Sequence, residues 1–277
     1  MSDATRSNTL KVPGATLYYE AKGSGPLLLM IPGGPMDAGA FAGFAERLAD
    51  RYTVVAYDPR GNSRSSLDGP PQDQQLDIHG DDAARLIEAL GDAPAYVFGS
   101  SSGAMIGLNL TARHPARVRT LVAHEPPCMR LLPDPSDALA GMQEVYDIYS
   151  AQGVGPAMQR FGAITGLGGP QGAPPQTETT AATKEMFARV GGNMDYFLGH
   201  GIKPISSYLP DVEALRQGPA RVVVGVGNES RGQLAHRTAL ALADALGTAP
   251  VIFPGGHGFD AHTDSAAEIL HGILNGR

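Results

Sequence analysis

The chain predicts an α/β fold in which a mostly parallel sheet is covered by helices on both faces. Three observations carry that reading. Short, largely apolar runs such as 27–31 and 53–57 recur, each too brief for a helix and each stopped by Gly, Pro or Asp. Segments of helical period lie between them, which is the alternation expected of βαβ units. With 277 residues, 42% apolar and 18% charged, the chain can bury one large core and still carry an insertion.

Taken in order, Leu-Leu-Leu-Met-Ile at 27–31 reads as a buried strand that ends at Pro32-Gly33-Gly34-Pro35. The segment 38–50 is amphipathic, with Phe41, Phe44, Ala45 and Leu48 on one face. Residues 53–57 form the next strand, stopping at Asp58-Pro59-Arg60-Gly61, and 76–90 reads as a helix closed by Gly91. A strand at 95–98 leads into Gly99-Ser100-Ser101-Ser102-Gly103 and a helix that ends near His114-Pro115. Residues 120–123 are again an apolar run, ending at His124-Glu125-Pro126-Pro127.

The alternation then stops. From 129 to 217 the chain is rich in Gly, Pro, Gln, Thr and Met, with helices expected at 138–152 and 184–190 and a loop at 165–180. It resumes with a strand at 221–226, a helix over 233–246, a strand at 251–253 and a helix over 265–274. The expected division is therefore a core domain of 1–128 and 218–277 with an inserted helical cap at 129–217.

Composition narrows the function classes. A net charge of −7 without any Lys/Arg run argues against nucleic-acid partners. The single cysteine, Cys128, excludes an intrachain disulfide and fits a reducing compartment. Residues 1–8 are polar, unlike a signal peptide, and the run at 27–31 is too short to cross a bilayer. A cytoplasmic protein without membrane partners is expected. No P-loop, paired-cysteine zinc spacing or His-Glu-x-x-His occurs, so neither a metal nor a cofactor is expected.

Chemistry concentrates at Gly99–Gly103. A turn this sharp between strand and helix strains its central residue, Ser101, and lifts the hydroxyl clear of the sheet. Gly99 and Gly103 lack the Cβ atoms that would collide across it. Gly-x-Ser-x-Gly alone is a common chance pattern; the flanking strand and helix turn it into a candidate nucleophile. Serine needs a base, and the base a third group to fix its tautomer. Of the eight histidines, His257 has the best context, in a Gly-rich loop at the carboxyl end of the last strand. His262 and His271 read as surface residues. An oxyanion hole needs two backbone donors. Those expected are the N–H of Ser102 and that of Gly34, from the loop after the first long strand.

With Ile31–Pro35, the stretch from Tyr57 to Ser65, Gly99–Gly103 and Gly255-Gly256-His257 in place, the chain resembles the α/β-hydrolase family over nearly its whole length. That resemblance implies an eight-stranded type of sheet with a cap, and the order nucleophile, acid, histidine. Asp58 and Arg60 correspond to a structural turn without a catalytic role. Many relatives carry the acid as Asp in a Gly-x-x-Asp turn after the strand at 222–226. Here that turn reads Gly227-Asn228-Glu229-Ser230, with Ser230 in the aspartate's place and Glu229 one residue early. The other candidate is Glu125, and His124-Glu125-Pro126-Pro127 is similar to the zearalenone-type lactone hydrolases, whose acid is a glutamate at that strand end. Glu125 is placed ahead, with Glu229 as the alternative acid.

The expected function is a serine hydrolase of a carboxylic ester or lactone. Its substrate is expected to be small and largely apolar, with Met129, Leu131, Leu132, Met142, Met158, Phe161, Met186, Tyr196, Phe197 and Tyr208 as candidate pocket or cap-core residues. The competing reading is a non-hydrolytic protein on the same scaffold: a small-molecule binder, a lyase or a cofactor-free oxygenase. Monomer and homodimer stay equally open.

Overall fold

The computed structural model describes residues 4–167, 180–259 and 262–276. Its centre is one nine-stranded sheet. In chain order the strands are β1 (Arg6–Val12), β2 (Ala15–Lys22), β3 (Leu27–Ile31), β4 (Thr53–Tyr57), β5 (Ser66–Leu67), β6 (Ala95–Ser100), β7 (Val118–His124), β8 (Arg221–Gly227) and β9 (Val251–Phe253). The spatial order is β1-β2-β4-β3-β6-β7-β8-β9, with β5 paired to β2. From β4 to β9 every pairing is parallel, and only the pairs made by β1 and β2 are antiparallel.

The helices are α1 (Ala42–Leu48), α2 (Leu76–Leu90), α3 (Ser102–Arg113), α4 (Ser136–Gln152), α5 (Val154–Thr165), α6 (Ala181–Gly192), α7 (Met194–Tyr196), α8 (Ile202–Ser207), α9 (Val212–Gln217), α10 (Leu234–Leu246) and α11 (Thr263–Leu274). Alternation along the strands decides which helix covers which face. Leu29, Ile31, Val55, Val97 and Leu121 pack with α2, α3 and α10, while Leu28, Met30, Val54, Phe98 and Val122 pack with α1 and α11. Each strand is thus buried on both sides, as a parallel sheet requires. On the second face Phe98 stacks on Phe44 and lies near Phe41, Phe253 and Phe259.

Helices α4 to α9 lie between β7 and β8, which are neighbours in the sheet. Met129, Met142, Val145, Phe197, Leu198 and Ile202 form a core of their own there, whereas Leu215 of α9 is buried in the cluster beside α3 and α10. The expected helices at 138–152 and 184–190 fall within α4 and α6. The loop expected at 165–180 lies largely outside the described residues. The amphipathic stretch at 38–50 divides into a 3-10 turn, Ala38–Phe41, and α1, with the Asp37 side chain capping the turn through the Gly39 N–H. The β1–β2 hairpin carries no clear periodic signal, since five of the seven residues of β1 are exposed.

Register then gathers the chemistry. Ile31 pairs with Gly99, Ser100 with His124, His124 with Gly225, and Gly227 with Phe253. The carboxyl ends of β3, β6, β7, β8 and β9 therefore finish along one edge. Gly34, Ser101, Glu125, Ser230 and His257 all lie in the loops that follow them.

Candidate active site

Ser101 stands between β6 and α3 with φ 56° and ψ −129°, a conformation an L-residue adopts only when its surroundings enforce it. Its N–H donates to the His124 carbonyl at 2.9 Å. The neighbouring glycines make the turn possible. A Cβ on Gly103 would sit 2.1 Å from the Ile31 carbonyl oxygen, and one on Gly99 would sit 2.5 Å from the Gly103 carbonyl oxygen.

His257 Nδ1 and Glu125 Oε2 are 2.7 Å apart. Glu125 follows β7 in a left-handed conformation, φ 47°, and is fully buried. Its Oε1 accepts from the Gly227 N–H at 2.9 Å and from the Ser230 hydroxyl. Burial alone would raise its pKa. The hydrogen bond and charge of His257, with help from the Ser230 hydroxyl, outweigh burial and hold it at about 2. The carboxylate is thus ionised, fixed on one oxygen and offered to His257 on the other.

Glu229 is not part of this arrangement. It is exposed and pairs with His262 Nε2 at 3.3 Å. Ser230, whose position matched the aspartate of many relatives, is instead the residue that anchors Glu125. That substitution of Ser for Asp was the sequence signal for a carboxylate arriving from elsewhere; its role as a hydrogen-bond donor went unread. His271 caps no site and meets the Tyr52 hydroxyl at 3.0 Å.

The oxyanion loop departs from expectation in one respect. The Gly34 N–H does not point into free space but donates to the Ser102 hydroxyl oxygen at 2.6 Å. The Ser102 N–H has no protein acceptor among the described residues. The loop is pressed onto the elbow because a Cβ on Gly33 would lie 2.5 Å from the Ser100 carbonyl oxygen. Asn62 Nδ2 donates to the Gly34 and Met36 carbonyls at 3.2 and 3.1 Å. Asp58, buried, accepts from the Ala38 N–H and from Arg64, and Arg60 pairs with buried Asp82, so both residues serve the loop framework.

Helices α6 and α7 and the turn after them clamp the same loop. Asn193 Oδ1 accepts from the Ser63 N–H at 2.7 Å, and its Nδ2 donates to the Pro35 carbonyl at 2.7 Å. Arg189 bridges to buried Asp37 at 2.7 Å. The Phe197 ring covers Gly34, its nearest carbon 3.8 Å from where a Cβ would stand, and Phe161 packs edge-on against it. Of the ten expected pocket residues, Phe197 reaches the oxyanion loop. Met129, Leu132 and Met142 are buried in the same cluster as Phe197.

Sequence reasoning placed His124 at a strand end without giving it a role. It is fully buried among Phe98, Phe253 and Phe259, with both ring nitrogens unpaired among the described residues. Burial drives its pKa down to about 3, so it stands neutral beside the Glu125–His257 pair. A cleft of about 690 Å³ between α4, α5 and the start of α10 contains none of Ser101, Glu125 or His257. Among the described residues no group of three or more His, Cys, Asp or Glu converges on a metal position, and no helix is long and apolar enough to cross a membrane.

A strained serine at the elbow, a histidine–glutamate pair at the ends of β7 and β9, and a glycine loop beside them define a hydrolase of the α/β-hydrolase fold family. The chain belongs to that family: residues 26–165 match its profile, described as alpha/beta hydrolase fold. It is 37% identical over 276 residues, 97% of this chain and 96% of the other, to the uncharacterized hydrolase YraK of Bacillus subtilis (strain 168). A 122-residue stretch, 44% of the chain, is 35% identical to 43% of a 2-(acetamidomethylene)succinate hydrolase of Mesorhizobium japonicum. Among solved structures, an alpha/beta hydrolase from Sphaerobacter thermophilus shares 26% identity at a TM-score of 0.68, over 96% of this chain and 100% of that one.

Proposed function

We propose that this protein is a serine hydrolase that cleaves a carboxylic ester or lactone through an acyl-enzyme. The observation that supports this most is the 2.7 Å contact between His257 Nδ1 and the buried Glu125 carboxylate, in a chain whose elbow serine, Ser101, is held at φ 56°. Glu125 fixes the proton on Nδ1 and stabilises the imidazolium. The Nε2 lone pair then takes the Ser101 proton as Oγ attacks the carbonyl carbon, and returns it to the leaving alkoxide. Water repeats the sequence on the acyl-enzyme, with His257 again the base. The N–H of Ser102, at the positive end of α3, binds the developing oxyanion.

Residues 129–217 would form the cap, and Phe197 over Gly34 favours a largely apolar acyl or alcohol group. The Glu125 position also keeps the likeness to zearalenone-type lactone hydrolases as the narrower reading. The test is turnover of p-nitrophenyl esters and lactones of graded size by wild type and Ser101→Ala, with fluorophosphonate labelling in parallel. Expected are turnover and labelling in the wild type and neither in Ser101→Ala, whose circular dichroism stays unchanged. Turnover retained by that variant, or a wild type that is neither labelled nor active, would overturn the reading.

A further inference from the structure

Ser102 follows the elbow serine, and its hydroxyl meets the loop after β3 while its N–H has no protein acceptor among the described residues. Its oxygen accepts from the Gly34 N–H at 2.6 Å, and the residue is only 7% exposed. A hydroxyl has one proton to donate and two lone pairs. One lone pair is taken by Gly34, while no acceptor among the described residues takes the Ser102 proton. A buried donor left unspent calls for a partner.

Building on the serine-hydrolase reading, we propose that the Ser102 hydroxyl is the second oxyanion donor, and that the Gly34 N–H acts behind it as a positioning group. The loop cannot easily swing the Gly34 N–H to a new acceptor. Asn62 holds the Gly34 and Met36 carbonyls, Asn193 holds that of Pro35, and the Gly33 backbone is packed against the elbow. A hydroxyl that accepts one hydrogen bond is polarised and donates the next more strongly. Ser102 therefore presents two donors from one residue at the first position of α3, where the helix dipole adds its positive end. In the attack step the Ser101 Oγ–carbon bond forms and the carbonyl π pair moves to oxygen. The Ser101 proton goes to His257 Nε2, and the new oxyanion accepts hydrogen bonds from the Ser102 N–H and O–H without taking either proton.

The test compares wild type, Ser102→Ala, Ser102→Cys and Ser102→Thr in p-nitrophenyl butyrate hydrolysis and in the rate of Ser101 phosphonylation by a fluorophosphonate, whose phosphoryl oxygen enters the same hole. Removing one such donor costs about 100-fold in kcat. Ser102→Ala should fall by that order with KM within about twofold, and label correspondingly slowly. Ser102→Cys, of nearly the same shape but a weak donor, should be intermediate, and Ser102→Thr should recover most of the rate. A Ser102→Ala variant as fast as wild type, or faster because the Gly34 N–H is set free, would overturn the proposal, as would equal loss in the Thr variant. The Ser101→Ala control separates the two readings. If Ser101→Ala is inactive and Ser102→Ala is not impaired, only the Ser102 inference fails; if Ser101→Ala stays active, the serine-hydrolase reading itself fails.

Discussion

Replacing Glu125 by glutamine would separate orientation from charge at this site. The carboxylate is held at Oε1 by the Gly227 N–H, 2.9 Å away, and by the Ser230 hydroxyl, leaving Oε2 for His257 at 2.7 Å. In Glu125→Gln the amide oxygen takes the Oε1 place, because two donors already converge there. The NH2 group must then face His257 Nδ1. Two donors cannot share that contact, so the imidazole moves its proton to Nε2 and loses the lone pair that would accept the Ser101 proton. The expected loss is about 10³- to 10⁴-fold in kcat, or about 4–5.5 kcal/mol, with KM little changed. Since both Oε1 bonds survive, the variant should fold. The assay is kcat and KM on a p-nitrophenyl ester for Glu125→Gln and Glu229→Gln side by side. A Glu125→Gln enzyme that keeps more than about a tenth of kcat, or a larger loss in Glu229→Gln, would refute the reasoning.

Two stability predictions follow from the same geometry. Gly103→Ala forces a Cβ to within 2.1 Å of the Ile31 carbonyl oxygen, so β3 and α3 must separate; urea unfolding should show a loss above about 2 kcal/mol, and an unchanged midpoint would contradict it. The Glu125 pKa lies near 2 in the folded protein against an ordinary 4.5. A depressed carboxyl pKa contributes stability that is full above the unfolded value and is lost as pH falls through the folded one. That contribution is about 3 kcal/mol near neutrality, and about 2 kcal/mol of it is gone by pH 3. Wild type and Glu125→Gln, compared by urea unfolding from pH 6 to pH 3, should therefore converge by about 2 kcal/mol; a constant difference between them would count against the ionised, hydrogen-bonded carboxylate.

The elbow was legible because its requirements are local. Strand, Gly-x-Ser-x-Gly and helix follow one another without interruption, and the close approach of Gly99 to Gly103 depends on residues within a single turn. The buried strands were legible for the same reason, since a run sealed on both faces is almost entirely apolar. The β1–β2 hairpin and helix α5 were not: exposed strand residues carry no period, and Gly155 and Pro156 open α5 with poor helix formers.

The sequence by itself determined the fold family, Ser101 as the elbow residue and His257 as the histidine in the right loop. Which glutamate meets His257 was a question of register between strands far apart in the chain. Only the tertiary structure, by pairing His124 with Gly225 and Gly227 with Phe253, carried Glu125 under His257 and turned Glu229 out to His262. Likewise the contact of Gly34 with the Ser102 hydroxyl spans 68 positions of sequence, and no local pattern encodes it. Hydrogen bonds of this kind are fixed by how the sheet edge folds its loops together, which is a property of the packed whole.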